Sequence, residues 1–300
     1  MRRFRVLIPG ILISILLINS SNKPKGEYYK LPKLLRDRYV MVPQIQGNTA
    51  GAFYMSRYEV SNLDYREFLY SLESQGRKED LAISKLDTAN WIHEFPKGFM
   101  KPLAEQYHKH PAYNKYPVVN VSLEGAQLYC QWLSEIWNEK LAEEPYQLNF
   151  MIPKREQWLA AANGGREDAV YGWEGKSLRD EDGKLKCNFK NLGAEHIYYD
   201  RLNKAYGVKT DIGVKSKIKN DVFFEDNAFI TSPTESYKAG ISDIFNLNGN
   251  AAEWVTEGLA CGGSWNSTGY DVRNQSVIKV DHSSCLVGFR PVMVFTKKES

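Results

Sequence analysis

Asn246, Gly249, Ala251 and Glu253 are spaced so that two side-chain oxygens and two backbone carbonyls can gather around one hard cation. Calcium takes roughly six to eight oxygen donors, so water would complete such a shell. Taken alone, the same block also reads as a glycine turn entering a strand, with Glu253 in an ion pair and Trp254 in the core. Without further context that plainer reading is the stronger one.

Cysteine and histidine chemistry come next. Cys130, Cys187, Cys261 and Cys285 show no C-x-x-C spacing, which argues against a zinc ribbon or a thioredoxin-type centre, and four cysteines leave three pairings open. Cys130 falls on the apolar side of a helical pattern, where a buried thiol is expected. His108-Lys109-His110 lacks further ligands and reads as part of a solvated loop, and His93, His196 and His282 have no metal spacing. No Ser-His-Asp set, phosphate loop or paired-acid motif offers a different active site.

The elements that must position these residues follow from periodicity. Phe53 to Val60 reads as a strand, and Ser61 or Asn62 caps a helix whose Tyr65, Phe68, Leu69 and Leu72 recur at helical spacing. From Gly76 to Tyr116 the pattern weakens into a charged loop. Pro117 to Val121 forms a short strand, and Ser122 opens an amphipathic helix with Ala126, Tyr129, Cys130, Leu133, Ile136 and Trp137 on one face. Another helix follows Pro153, with Trp158, Ala161 and Ala162 inward and Gly164-Gly165 at its end. Arg166 to Lys238 is long and irregular, and a loop of that length needs something to pin it.

At the start, Arg2, Arg3 and Arg5 precede an apolar run from Val6 to Ile18, the pattern of a signal peptide over residues 1–21. An uncleaved inner-membrane signal anchor is the alternative, and the absence of a cysteine after the run argues against direct lipidation. Residues 22–36 read as an exposed lead-in and 37–297 as one domain. Those three arginines match the formal charge of +3 on the 300 residues, so the remainder is formally neutral and offers nothing for nucleic acid.

Four blocks in order resemble the formylglycine-generating enzyme, or sulfatase-modifying factor, family: Tyr58 to Leu69, Tyr116 to Ser122, Asn248 to Trp254, and Gly262-Gly263-Ser264-Trp265-Asn266 with Gly288-Phe289-Arg290. Ile152 to Trp158 keeps the proline and tryptophan of a further family pattern but puts Gln157 where the family has a glutamate. The resemblance implies an α+β, C-type lectin-like fold with two helices packed on small antiparallel sheets. It also implies calcium at Asn246, Gly249, Ala251 and Glu253, and at a second set of Asn188, Phe189, Asp226 and Ala228. Motifs expected to be neighbours in that fold make Cys261 and Cys285 the first choice for a disulfide.

Family enzymes oxidise a sulfatase cysteine with copper held by two thiolates, and alignment on the Gly-Gly-Ser-aromatic motif puts Ser267 and Val272 at those positions. Neither supplies the soft thiolate that Cu(I) prefers, which argues against copper and against catalysis. Trp265, Asn266, Ser267, Tyr270 and Arg273 are then the expected ligand-groove residues, and Arg290 is expected to be structural. The Glu59 to Tyr70 block is similar to domains of gliding-motality and type IX secretion proteins of Bacteroidota, which implies a periplasmic or outer-membrane-associated structural or protein-binding role. Its expected partners are envelope proteins, with membrane contact only through the signal segment or those partners. The alternatives are a copper-dependent oxidoreductase generating formylglycine in sulfatases and a calcium-dependent glycan-binding module.

Overall fold

The computed structural model describes residues 31–44, 51–96, 98, 100–190, 197–208 and 228–298; the signal segment, Asp226 and His196 lie outside them. Among the described residues, three helices of nine or more residues organise the fold: α2 (Asn62–Ser74), α6 (Leu123–Lys140) and α7 (Arg155–Asn163). Short helices α1 (Lys33–Arg38), α3 (Lys78–Ile83), α4 (Asn90–Glu94) and α5 (Lys101–Gln106) accompany them. The stretch expected as a loop from Gly76 to Tyr116 therefore holds three one-turn to two-turn helices, each too short to register as periodicity. The end of the expected exposed lead-in also departs from expectation, because Leu31 and Leu35 are buried.

Local chemistry explains the longer helices. Ser61 Oγ accepts from the Asp64 amide while the Asp64 carboxylate accepts from the Ser61 amide, a reciprocal cap that starts α2. Ser122 caps α6 through the Gly125 amide at 3.0 Å. Helix α7 ends where Gly164 turns left-handed at φ 56°. At its start Gln157 Oε1 accepts from the Lys154 amide at 2.9 Å, a contact that needs an acceptor and no charge.

One sheet has the order β1 (Tyr39–Val42), β2 (Phe53–Ser56), β10 (Val292–Lys297), β3 (Tyr146–Met151), all antiparallel. Another has the order β8 (Val277–Lys279), β7 (Leu259–Cys261), β6 (Ala252–Val255), β9 (Val287–Gly288), with β6 and β9 parallel. Strands β4 (Ile197–Asp200) and β5 (Ala205–Val208) form a separate hairpin. Helix α6 is bolted to β3: Asn138 exchanges two hydrogen bonds with Leu148, and Ser134 Oγ accepts from the Phe150 amide. In the largest core cluster Tyr65 and Phe68 of α2 meet Tyr129 of α6 and Phe289 edge to face or stacked. Among the described residues no helix is long and apolar enough to cross a membrane.

Candidate functional site

The turn that enters β6 is built from left-handed residues: Asn246 (φ 54°), Gly249 (φ 79°) and Asn250 (φ 62°). Asparagine and glycine are the residues that tolerate this backbone. It brings three segments together, since the Asn250 amide donates to the Asn188 carbonyl and the Gly249 amide to the Gly262 carbonyl, each at 2.8 Å. A Cβ at Gly249 would lie 2.2 Å from the Asn188 carbonyl oxygen, so only glycine permits this approach.

Two buried carboxylates sit behind the turn. Glu253 receives the Trp158 indole N–H at 2.8 Å and the Arg290 guanidinium through Nε and a terminal nitrogen; Arg290 also donates to the Ser56 and Phe245 carbonyls. Arg290 is fully buried in this role, as the sequence led us to expect. Glu59 accepts from Asn246 Nδ2, Asn250 Nδ2 and the Ala251 amide. Burial pushes the Glu59 carboxyl up to about 8; Arg290 opposes that and the neighbouring Glu253 adds to it. Glu59 was missed as a site residue in sequence, where its only signal was one acid between apolar residues just before a helix cap.

The implied calcium ligands fit this geometry in part. Asn246 Oδ1 is a buried acceptor with no donor, as a cation ligand would be. Glu253, in contrast, has both oxygens committed to Arg290 and Trp158 and is not open to a cation. In the second set Asn188 turns its Nδ2 toward the Ile230 carbonyl and Asn250 Oδ1, Phe189 is buried, and Asp226 lies outside the described residues. Among the described residues no group of three His, Cys, Asp or Glu side chains can hold a metal.

The expected disulfide is absent. Cys261 and Cys285 are buried thiols in different clusters, Cys261 with Trp158 and Ile244, Cys285 with Trp91 and Trp265. Strand β6 lies between β7, which carries Cys261, and β9, which follows Cys285. Two strand spacings come to about 9–10 Å, beyond the reach of a disulfide. Burial pushes the Cys261 thiol up to about 12, and burial together with Glu94 raises Cys285 further still; the Cys285 thiol donates to Glu94 Oε2 at 3.4 Å. Neither thiol is poised to ionise as a copper thiolate must.

At the aligned cysteine positions Ser267 Oγ accepts from the Ser264 amide at 2.9 Å, and Val272 is fully buried with Tyr171, Cys187 and Phe189. Of the expected groove residues, Trp265 is buried against Trp91 and Phe95. Asn266 and Ser267 are half-buried, while Tyr270 is 66% exposed beneath the Arg273 guanidinium, 4.0 Å from its ring centroid. His108 is also corrected, because it is buried where a solvated loop was expected. Its Nδ1 meets Asn62 Oδ1 at 2.8 Å and its Nε2 meets Asn120 Nδ2 at 3.2 Å; burial, then the nearby Arg66 charge, pushes the imidazole down to about 3.

The family model for the "Sulfatase-modifying factor enzyme 1-like domain" matches residues 24–294. The chain belongs to this family. Among curated proteins, the formylglycine-generating enzyme of Bos taurus is 22% identical over 232 residues, covering 69% of this chain and 49% of that protein. This sulfatase-modifying factor family member thus spans about half the length of the curated relative it matches. Solved structures similar to it include PvdO from Pseudomonas aeruginosa (14% identity, TM-score 0.48, 85% of this chain and 90% of that one) and CarF (14%, 0.48, 85% and 94%). Treponema denticola variable protein 1 is a third, at 13% identity and TM-score 0.44, covering 85% of this chain and 91% of that one.

Proposed function

We propose that this family member is a non-catalytic, exported domain that serves as a structural or protein-binding component of a bacterial envelope assembly of the gliding-motility or type IX secretion kind. One observation carries the loss of catalysis: the two positions at which family enzymes hold copper are a turn-forming hydroxyl, Ser267, and a fully buried valine, Val272. The remaining thiols support it, since Cys261 and Cys285 are separated by β6 and held neutral by burial. The envelope role rests on the Arg-flanked apolar start and on the likeness of the Glu59 to Tyr70 block.

The test has two arms. Metal analysis of the full chain, with assay of a Cys-containing sulfatase peptide, is expected to give neither stoichiometric copper nor formylglycine; either product would install the oxidoreductase in its place. Affinity purification from the native envelope is expected to recover defined partner proteins, and recovery of the chain alone would remove the assembly role. A lowered unfolding midpoint on calcium chelation would support the part of the ion site that Asn246 supplies.

A further inference from the structure

A groove of about 910 Å³ lies between the hairpin that spans Arg179 to Lys186 and the segment Ser236 to Ala239. That volume is in the range of recognition clefts, and none of the expected ligand-groove residues lines it. Within the hairpin, the Asp180 amide donates to the Lys184 carbonyl and the Lys186 amide to the Leu178 carbonyl, which makes Arg179 and Leu185 a non-hydrogen-bonded pair. In such a pair the residues' own N–H and C=O groups turn outward. Leu185 lines the groove and makes no hydrogen bond among the described residues, and the same holds for Lys238 and Ala239 on the opposite wall. Two open backbone edges therefore line one cleft.

Charge is polarised along it. The hairpin tip carries Asp180, Glu181 and Asp182, with Lys184 and Arg179 beside them, the Arg179 guanidinium donating to the Gly183 carbonyl, whereas the inner end is flanked by Lys186 and Lys238 with no acid. Neither Lys186 nor Lys238 forms an ion pair among the described residues, and the Lys186 ammonium rests 5.8 Å from the Trp173 ring centroid. Trp173 in turn stacks on Tyr171 at 4.8 Å, which fixes the floor.

We propose that this groove binds an extended segment of a partner polypeptide by strand addition, pairing its backbone with Leu185 and with Lys238–Ala239. Unpaired backbone edges, here an isolated bridge and an irregular segment, are templates for such pairing. The charge gradient sets the segment's polarity: a basic residue at the Asp180–Asp182 tip and an acidic residue between Lys186 and Lys238. The proposal rests on the protein-binding reading above and gives that reading a surface.

The experiment titrates the full chain into a fluorescein-labelled peptide of alternating threonine and valine, blocked at both ends, with lysine at one end and glutamate at the other. Saturable polarisation is expected. A version N-methylated at alternate residues should bind about tenfold more weakly, since it loses its backbone donors. Lys238→Glu, at an exposed position, should weaken binding by roughly threefold or more and Ala239→Pro should remove it, with thermal unfolding checking that each variant folds. Absence of saturable binding up to about 1 mM, equal binding of the N-methylated peptide, or an unchanged affinity in Lys238→Glu would each overturn the proposal. The two ideas fail separately: wild-type chain that recovers no envelope partner sinks the protein-binding reading, whereas a folded Ala239→Pro chain that still recovers every partner sinks the groove.

Discussion

Glu253 and Arg290 face one another in the interior, the guanidinium Nε 2.9 Å from each carboxylate oxygen, at side-chain exposures of 1% and 0%. The pair ties β6 to the start of β10, and through the Ser56 and Phe245 carbonyls Arg290 extends the tie to β2 and to the loop before the Asn246 turn.

Removing one partner of a buried pair leaves an uncompensated charge, at a cost of roughly 3–5 kcal/mol. Arg290→Met is therefore expected to lower the unfolding free energy by that amount, and the double variant Arg290→Met, Glu253→Gln by less, because the stranded carboxylate is gone. Denaturant unfolding of the wild type and the single and double variants measures this. Equal losses in the two variants would mean that Arg290 acts through its carbonyl contacts and not through Glu253.

Much of the α+β architecture was legible because its elements advertise themselves locally. Ser61 with Asp64, Ser122 and the Gly164 terminus mark helix ends, and Tyr65, Phe68 and Leu72 keep a helical period. The fate of Trp265 and His108 was not legible, since both depend on α4 and α5, whose five and six residues are too few to show a period. The expected closeness of their motifs in the fold also misled at Cys261 and Cys285, because it does not reveal that β6 separates them. At Glu253 the resemblance implied a calcium ligand, whereas its contacts are those of the plainer reading, an ion pair beside a buried Trp254.

The His108 imidazole gives a pH prediction. Asn62 Nδ2 donates to the Tyr107 and Tyr113 carbonyls, so its Oδ1 must accept, which puts the His108 proton on Nδ1 and leaves Nε2 to accept from Asn120. Arg66, which donates to the His108 carbonyl, opposes a second proton. A base whose folded pKa is depressed contributes stability that is complete above its unfolded value near 6.5 and is lost as pH falls toward about 3. His108→Gln should flatten the decline in unfolding free energy between about pH 6 and pH 4 by a few kcal/mol. A variant with the same slope as the wild type would show that His108 does not titrate against the fold.

Cys130, Cys261 and Cys285 are buried and uncrosslinked. Under non-reducing conditions they should resist a thiol reagent in the folded chain and react once it is unfolded, with no reductant needed. A cystine between Cys261 and Cys285, found by mass analysis of peptides from unreduced protein, would contradict the separation imposed by β6.

Gly249 and Gly175 share a left-handed backbone, at φ 79° and 82°, but differ in surroundings: a Cβ at Gly249 meets the Asn188 carbonyl oxygen at 2.2 Å, and one at Gly175 meets nothing within 4 Å. Backbone strain alone costs an alanine about 1 kcal/mol at such an angle. Gly175→Ala should lose about that much, whereas Gly249→Ala must also push the Asn188 segment away and break the Asn250–Asn188 hydrogen bond, adding roughly 1–3 kcal/mol. Equilibrium unfolding of the two variants side by side separates the terms. The excess at Gly249 measures how tightly the turn that carries Asn246 is pressed against the segment that carries Asn188, and equal losses would mean that the turn can swing away from that segment without penalty.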